Sequence, residues 1–237
     1  MKKIGIILTP DNRSKAYLQK IILNNIKLSS IIFMNDGRCD KEFNYEGKNI
    51  AAHYGFDISE SIKDTLKRHR IDHYEFKFVD INHPLLIEHL KKSNVDFFIF
   101  TGGGRLQSDV LKAGPKFIHL HPGIVPEYRG STCFYYSMIN EDRCGVTAFV
   151  MNEGLDTGPI VYQRFFPKPN HIFVDEIYDP YIRSETLLDV LKNNMLKDKI
   201  VTQKTQEGNT YFIIHPVLKH IAILSCVNEA SSVNPLQ

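Results

Sequence analysis

Two histidines stand on alternate positions of a predicted strand, in the stretch FIHLHPGIVPEYRG at 117–130. Successive side chains of a strand point to opposite faces, so His119 and His121 are expected on the same face. Paired imidazoles can donate hydrogen bonds, move protons or bind zinc. A zinc site needs a third ligand, for which Asp156 is the candidate, so a zinc-dependent hydrolase is one alternative.

A run of three glycines, Gly102-Gly103-Gly104, follows the predicted strand VDFFIF at 95–100. In an open α/β sheet, ligands bind at the carboxyl ends of the strands, where both this run and the histidine pair fall. A tight turn and a loop that cradles a ligand both explain the glycines. The run matches neither a dinucleotide fingerprint nor a phosphate loop, so a bound dinucleotide or triphosphate is not expected.

Strands and helices alternate along the chain, and this rhythm predicts a Rossmann-like α/β domain over residues 1–167. The sheet is expected to be mostly parallel and twisted, with helices on both faces. Ser14 is the expected N-cap of the first helix, and the polar segment 35–55 is expected to be a long loop. A helix at roughly 184–196 and a hairpin-like segment after it predict a short C-terminal extension over 168–237, packed on the first domain.

The charge pattern argues against a nucleic-acid partner, because 29 basic and 27 acidic side chains are interspersed without a basic stripe. The apolar runs are far too short to span a bilayer, so no membrane partner is expected. The four cysteines show no CxxC pattern, which favours reduced thiols in the cytoplasm.

The segment 118–161 resembles the core of the folate-dependent formyltransferases, which include the glycinamide ribonucleotide, methionyl-tRNA and nucleotide-amino-sugar formyltransferases. That family has N-x-H at a strand end, a loop ending in R-G, then G-V-T and an acidic residue in L-D-T-G. The matching letters here are HLH at 119–121, RG at 129–130, GVT at 145–147 and LDTG at 155–158. The likeness extends upstream to about residue 75.

The resemblance implies transfer of a formyl group from N10-formyltetrahydrofolate to a primary amine. It implies that His121 polarises the formyl oxygen, while Asp156 orients the imidazole, favours its protonated form and helps to carry the proton. His119 stands where the family has asparagine, and its N–H is expected to donate to the oxyanion instead. The residues matched to the family's pteridine-binding loops are Gly103, Gly104, Arg105, Leu106, Asn152, Glu153 and Gly154.

The acceptor implied by the resemblance is a small amine, such as a nucleotide-linked amino sugar or a similar metabolite. A homodimer is left open. TPDNRSK replaces the family's phosphate-binding turn, although Arg13, Ser14 and Lys15 at the helix start are candidates to meet a phosphate. Only about 70 residues follow Pro167, whereas methionyl-tRNA formyltransferases carry a further barrel domain, so tRNA is not expected.

Two further departures leave alternatives open. Gly123 replaces the family's loop serine, and YDPYIRS at 178–184 either lines the acceptor pocket or simply starts a helix. The alternatives to a transferase are a formyltetrahydrofolate hydrolase that uses the same residues, the zinc hydrolase, and a catalytically silent folate-binding module.

Overall fold

Parallel strands and helices alternate in the computed structural model, which describes residues 2–39, 41–197, 201–204 and 207–228. The strands in these ranges are β1 (Ile4–Leu8), β2 (Ser30–Met34), β3 (Tyr74–Phe76), β4 (Phe97–Phe100), β5 (Lys116–His121), β6 (Tyr128–Gly130), β7 (Arg143–Val150), β8 (Ile160–Pro167) and β9 (Asn209–Tyr211). The α-helices there are α1 (Asn12–Leu23), α2 (Tyr45–His53), α3 (Ile62–Arg68), α4 (Pro84–Lys92), α5 (Ser108–Leu111), α6 (Cys133–Glu141), α7 (Asp179–Lys192) and α8 (Pro216–Asn228).

One sheet runs through the molecule with the strand order β3-β2-β1-β4-β5-β7-β8. The strands β1 to β5 pair in parallel, whereas β7 and β8 pair antiparallel at one end of the sheet. The strands β6 and β9 form a separate parallel pair. The predicted Rossmann-like α/β fold with a mostly parallel sheet is therefore confirmed.

Helices cover both faces of this sheet, and the central strand β4, with the sequence FFIF, is buried at every position. On one face Ile6 belongs to a core with Leu18 of α1 and Leu187 of α7. On the other face Ile7 belongs to a core with Leu86 of α4. Strands buried on both faces are typical of parallel sheets. None of the helices in the described ranges has both the length and the apolar character that a membrane span requires.

Two local predictions in the N-terminal part are wrong. The first helix is capped by Asp11, whose side chain accepts the N–H of Ser14, so the helix begins before the predicted cap. The segment predicted to be a long loop contains α2, which Asn44 caps by accepting the N–H of Gly47. Its polar composition hid the helix, because α2 buries little more than Ala51 and Gly47.

The C-terminal part packs and pairs with the rest of the fold differently from what the sequence predicts. The helix α7 begins at Asp179 and packs against α1. The predicted hairpin is wrong within the described residues: Val201 pairs with Ile160, and β9 pairs with β6. Residues 200, 205 and 206 of that segment lie outside the described ranges. The division at residue 167 stays a prediction.

Candidate active site

A cleft of about 810 Å³ opens where β5 continues beyond the end of β4. Ile99 and Ile118 are the last residues that pair between these strands, and β5 runs on to His121. The strand order reverses between β1 and β4, and such switch points are where open α/β sheets bind ligands. Both His119 and His121 line the cleft, so the two rings share one face of β5.

His121 is held between two oxygen atoms and is only 2% exposed. Its Nε2 lies 2.8 Å from the carbonyl oxygen of Tyr128. A carbonyl can only accept, so Nε2 carries the N–H and the tautomer is fixed. Its Nδ1 lies 3.4 Å from Oδ2 of Asp156. Nδ1 is therefore the ring atom that can gain or lose a proton.

Burial lowers the pKa of His121 below its ordinary value of 6.5, and the nearby Arg183 guanidinium acts in the same direction. The Asp156 carboxylate and the Tyr128 carbonyl raise this pKa but do not outweigh burial. Asp156 thus favours the protonated ring, as expected, but burial has the larger effect and leaves the pKa of His121 below its ordinary value. A proton gained at Nδ1 would nevertheless be met by the Asp156 carboxylate.

Asp156 is fixed from two directions. Its Oδ2 accepts the backbone N–H of Gly130 at 2.8 Å, and its backbone has a positive φ of 51°. The side-chain amide of Gln203 donates to the carbonyl oxygens of both Asp156 and Gly158. These contacts hold a loop in a backbone conformation that non-glycine residues seldom adopt.

His119 lies in a more positive environment than His121. Its ring is half-buried and packs edge-on against Phe149, with ring centroids 5.9 Å apart. Burial lowers its pKa well below the ordinary value, and the charges of Arg183, His121 and Arg13 add to the effect, while the carbonyl of Phe100 opposes it. Within the described residues, the buried Nδ1 of His119 has no hydrogen-bond partner. A neutral ring with a free nitrogen is thus available to a ligand.

The predicted pteridine-binding residues come together on two loops that both line the cleft. A side chain links the loops, because Nη2 of Arg105 donates to the carbonyl oxygen of Glu153 at 2.8 Å. Asn152 closes its own turn by accepting the N–H of Gly154 at 3.1 Å. Gly103 and Gly104 have open space where a side chain would begin. The loops are therefore organised by their own contacts and present backbone to the cleft.

Gly123 has a steric reason to differ from the family's serine. A Cβ built at this position would lie 2.7 Å from the carbonyl oxygen of Tyr128, 2.9 Å from Cβ of Cys133 and 2.9 Å from Nε2 of His121. Only glycine lets this loop approach the His121 ring so closely. The substitution thus belongs to the packing around His121.

Two arginines complete the lining of the cleft. Arg13 and Arg183 line the cleft, so the segment at 178–184 both starts a helix and contributes to the pocket. Ser14 and Lys15 are used elsewhere, by hydrogen bonds to Thr101 and to the carbonyl of Ile58.

Sequence reasoning did not find Arg183 or Gln203 as individual residues. The i, i+4 spacing of Asp179 and Arg183 on a helix is a signal for their ion pair. Gln203 lies in a polar segment without a pattern, and nothing in the sequence points to it.

The zinc alternative finds no support in this geometry. Both nitrogen atoms of His121 face protein oxygens, one of them a carbonyl that fixes an N–H on Nε2. Among the described residues, no group of three His, Cys, Asp or Glu side chains is arranged to hold a metal ion.

Comparison with known sequences points to one enzyme class. The sequence model of the family described as "Formyl transferase" matches residues 49–179. The methionyl-tRNA formyltransferase of Clostridium beijerinckii is 30% identical over 155 residues, which cover 64% of this chain and 50% of that protein. The methionyl-tRNA formyltransferase of Clostridioides difficile is 28% identical over 198 residues, covering 80% of this chain and 58% of the relative. The chain thus spans about half the length of the curated relatives it matches.

Solved structures share the fold over nearly the whole chain. The N-formyltransferase of Helicobacter canadensis, in complex with folinic acid and dTDP-3-aminofucose, has a TM-score of 0.61 at 14% identity, covering 96% of this chain and 81% of that one. A sugar N-formyltransferase from Shewanella sp. FDAARGOS_354 has a TM-score of 0.59 at 14% identity, covering 94% and 87%.

The fold is therefore that of Rossmann-like formyltransferases, and its cleft holds the histidine and acidic residues of their motif. The chain belongs to the formyl transferase family. Enzymes of this family take their formyl group from formyltetrahydrofolate.

Proposed function

We propose that this protein transfers a formyl group from N10-formyltetrahydrofolate to the primary amine of a small acceptor, such as a nucleotide-linked amino sugar. The observation that carries the proposal is the contact between His121 and Asp156 in a cleft that both predicted pteridine-binding loops also line. The sugar N-formyltransferases that share the fold support a small acceptor, although the sequence relatives are named for tRNA.

The site has features that fit the formyl donor. Gly103 and Gly104 leave open space beside the cleft, where a flat ring can approach the backbone. The unpartnered Nδ1 of His119 marks a place for a polar ligand atom. The loops around Arg105 and Asn152 would hold the pteridine, and the donor supplies the formyl carbon that the amine attacks.

His121 is proposed to accept the proton that the amine loses, rather than to polarise the formyl oxygen as the resemblance implies, because burial favours its neutral ring. Its neutral ring has Nε2–H directed at the Tyr128 carbonyl, so Nδ1, which lies beside Asp156, is the ring atom that can take up a proton. After protonation, both ring N–H groups face an acceptor, since Asp156 lies 3.4 Å from Nδ1. The carboxylate stabilises the imidazolium as it forms, and the imidazolium then gives the proton to N10 of the folate as the bond between N10 and the formyl carbon breaks.

His119 is proposed to donate a hydrogen bond to the formyl oxygen as negative charge develops there. Its ring is neutral because burial and the two arginine charges lower its pKa. A neutral imidazole has one N–H, and this role requires the tautomer that carries it on Nδ1, the nitrogen without a partner among the described residues. Such preorganised donors contribute strongly in a site that excludes water.

Formyl transfer is tested by incubating the protein with N10-formyltetrahydrofolate and a panel of amines that includes nucleotide-linked amino sugars. We expect formylated amine and tetrahydrofolate to form in equal amounts, with little formate when the amine is left out. Equal formate release with and without amines would establish the hydrolase instead. Binding of folinic acid without turnover of the formyl donor would establish the silent binding module.

A further inference from the structure

The short strand β6 holds both residues that are proposed to handle the proton, His121 and Asp156. The carbonyl oxygen of Tyr128 accepts the N–H at Nε2 of His121 at 2.8 Å. Two residues further along the strand, the backbone N–H of Gly130 donates to Oδ2 of Asp156 at 2.8 Å. The same Oδ2 lies 3.4 Å from Nδ1 of His121. The placement of β6 therefore fixes the imidazole and the carboxylate relative to each other.

The strand β6 lies outside the main sheet, and within the described ranges it pairs with β9 alone. Backbone polar groups of residues two apart point to the same edge of a strand. One edge of β6 is thus taken by His121 and Asp156, and the opposite edge is left for β9, where Arg129 pairs with Thr210. A two-stranded pair has little stability of its own, so further contacts must hold β9 in place.

Contacts along its length hold β9 against β6. The N–H of Asn209 donates to the carbonyl oxygen of Glu127 at 3.2 Å, and the N–H of Ser131 donates to the carbonyl oxygen of Tyr211 at 2.9 Å. The ring of Tyr211 stacks on the ring of Tyr128, with centroids 5.2 Å apart and planes inclined by 17°. The stacked ring thus belongs to the residue whose carbonyl oxygen binds the proposed proton acceptor.

Gly208 lets the chain pass close to β6 just before β9 begins. Its φ is +80°, and a Cβ at this position would overlap the carbonyl oxygen of Pro126 and lie 2.8 Å from the nitrogen of Glu127. A side chain here would therefore push β9 away from β6. Gly37 has nearly the same φ, +78°, but a Cβ built there meets no atom of the described residues within 4 Å. The two glycines share a backbone conformation and differ in the close approach.

We propose that β9 is a positioning element of the active site, which acts through β6 on His121 and Asp156. This inference rests on the proposed function and gives the C-terminal part of the chain a role in it. β9 lies beyond residue 179, where the match to the family's sequence model ends. Among the described residues, neither Gly208 nor Tyr211 belongs to the cleft lining, so substitutions there affect the reacting groups through β6.

Two pairs of variants separate this role from a general effect on the fold. Gly208→Ala is compared with Gly37→Ala, because both substitutions place a side chain at a positive φ. Tyr211→Ala removes the stacked ring, whereas Tyr211→Phe keeps it. Each variant is measured for kcat, for folinic acid affinity and for Tm. If Gly208→Ala does not fold, the comparison at Tyr211 carries the test.

We expect kcat to fall on the order of 100-fold in Gly208→Ala and on the order of tenfold in Tyr211→Ala, because small misplacements of reacting groups are this costly. Gly37→Ala and Tyr211→Phe should keep the kcat of the wild type. Folinic acid should bind the wild type and these variants alike, since the loops proposed to hold it are linked by Arg105 and Glu153.

NMR spectra of the ring nitrogens, in protein labelled on histidine, give a readout that needs no turnover. The Tyr128 carbonyl fixes the N–H of His121 on Nε2, so the wild type should show one neutral tautomer for this ring. The signal is assigned by its absence from His121→Ala. Gly208→Ala and Tyr211→Ala should show a mixture of tautomers, while Gly37→Ala and Tyr211→Phe should match the wild type.

Wild-type kcat and an unchanged His121 tautomer in Gly208→Ala and Tyr211→Ala overturn the role of β9, even if Tm falls. An equal loss of kcat in Gly37→Ala does the same, because it shows a general cost of a side chain at positive φ. If the wild type neither binds folinic acid nor transfers a formyl group, the proposed function fails. A tautomer that becomes mixed in Gly208→Ala and stays single in Gly37→Ala would still confirm that β9 positions His121.

Discussion

Two parts of the cleft lining present polar groups in different ways. The loops at 102–106 and 151–155 present backbone and glycine, and Arg105 on them is tied to the carbonyl of Glu153. At another part of the lining, Arg13 and Arg183 present charged side chains that are mostly buried. Backbone recognition survives changes of side chain, whereas recognition by a guanidinium depends on the residue itself. Family resemblance therefore says more about the donor than about the acceptor.

The largest effect is expected at His121 and Asp156, the proposed proton acceptor and its counter-charge. Replacing His121 by Ala or Asp156 by Asn should lower kcat by about 100-fold or more, because each change removes the proton acceptor or its counter-charge. Steady-state kinetics with a saturating amine would measure this loss. Folinic acid affinity and Tm serve as controls, and near wild-type turnover by either variant would remove that residue from the mechanism.

The dependence of kcat/KM on pH gives a second test of His121 as the proton acceptor. The proposed proton acceptor must be neutral, so kcat/KM should fall as pH decreases through the pKa of His121, which burial places below 6.5. Asp156 raises that pKa, so Asp156→Asn should move the acid limb to still lower pH. An acid limb that moves to higher pH in Asp156→Asn would contradict the assignment of His121 as the proton acceptor.

Variants of His119 test whether this histidine takes the role of the asparagine in the family motif. His119→Ala should lose about 100-fold in kcat, because a donor to the developing oxyanion disappears. His119→Asn should retain formyl transfer to within about tenfold, since an amide N–H takes the same role.

The acid limb of the pH profile should stay in place in His119→Asn, because the His119 ring is already neutral there. Turnover by His119→Ala that equals the wild type would make His119 a bystander.

Gln203 offers a smaller effect that reports on loop positioning. Gln203→Ala removes the amide that donates to the carbonyls of Asp156 and Gly158, so we expect kcat to fall about fivefold to tenfold. The KM for the donor should change little, and the acid limb should shift toward that of Asp156→Asn. A lower Tm with unchanged kcat and pH profile would show that Gln203 serves stability alone.

The smallest effect should come from the side chain of Arg105. Its backbone stays in place in Arg105→Ala, and the lost contact is one hydrogen bond to Glu153. The KM for the donor should rise about threefold, with kcat unchanged. A loss of donor binding as large as about 100-fold would mean that the side chain itself holds the donor, which would weaken the contrast between the two parts of the cleft.

Periodicity and motif spacing predicted the parts of the molecule that depend on local sequence. β5 with its paired histidines, the buried β4 and the alternation of strands and helices all follow from side-chain patterns. Asp156 was found because it belongs to a contiguous family motif. Its neighbour Gln203 was missed, since it reaches the loop from a segment 47 residues away.

The lowered pKa of His121 was not predicted from the sequence either. A carboxylate beside an imidazole raises its pKa, but the amount of burial depends on the complete fold. The same holds for the paired β6 and β9, whose contact across Tyr128 and Asn209 replaced the predicted hairpin.

The most direct test of the proposed donor site is a crystal structure of the protein with folinic acid. We expect the pteridine to lie against the backbone of Gly103 to Leu106 and of Asn152 to Gly154, within reach of His119 and His121. Folinic acid bound elsewhere, or a cleft that stays empty at saturating folinic acid, would contradict the assignment of this cleft to formyl transfer.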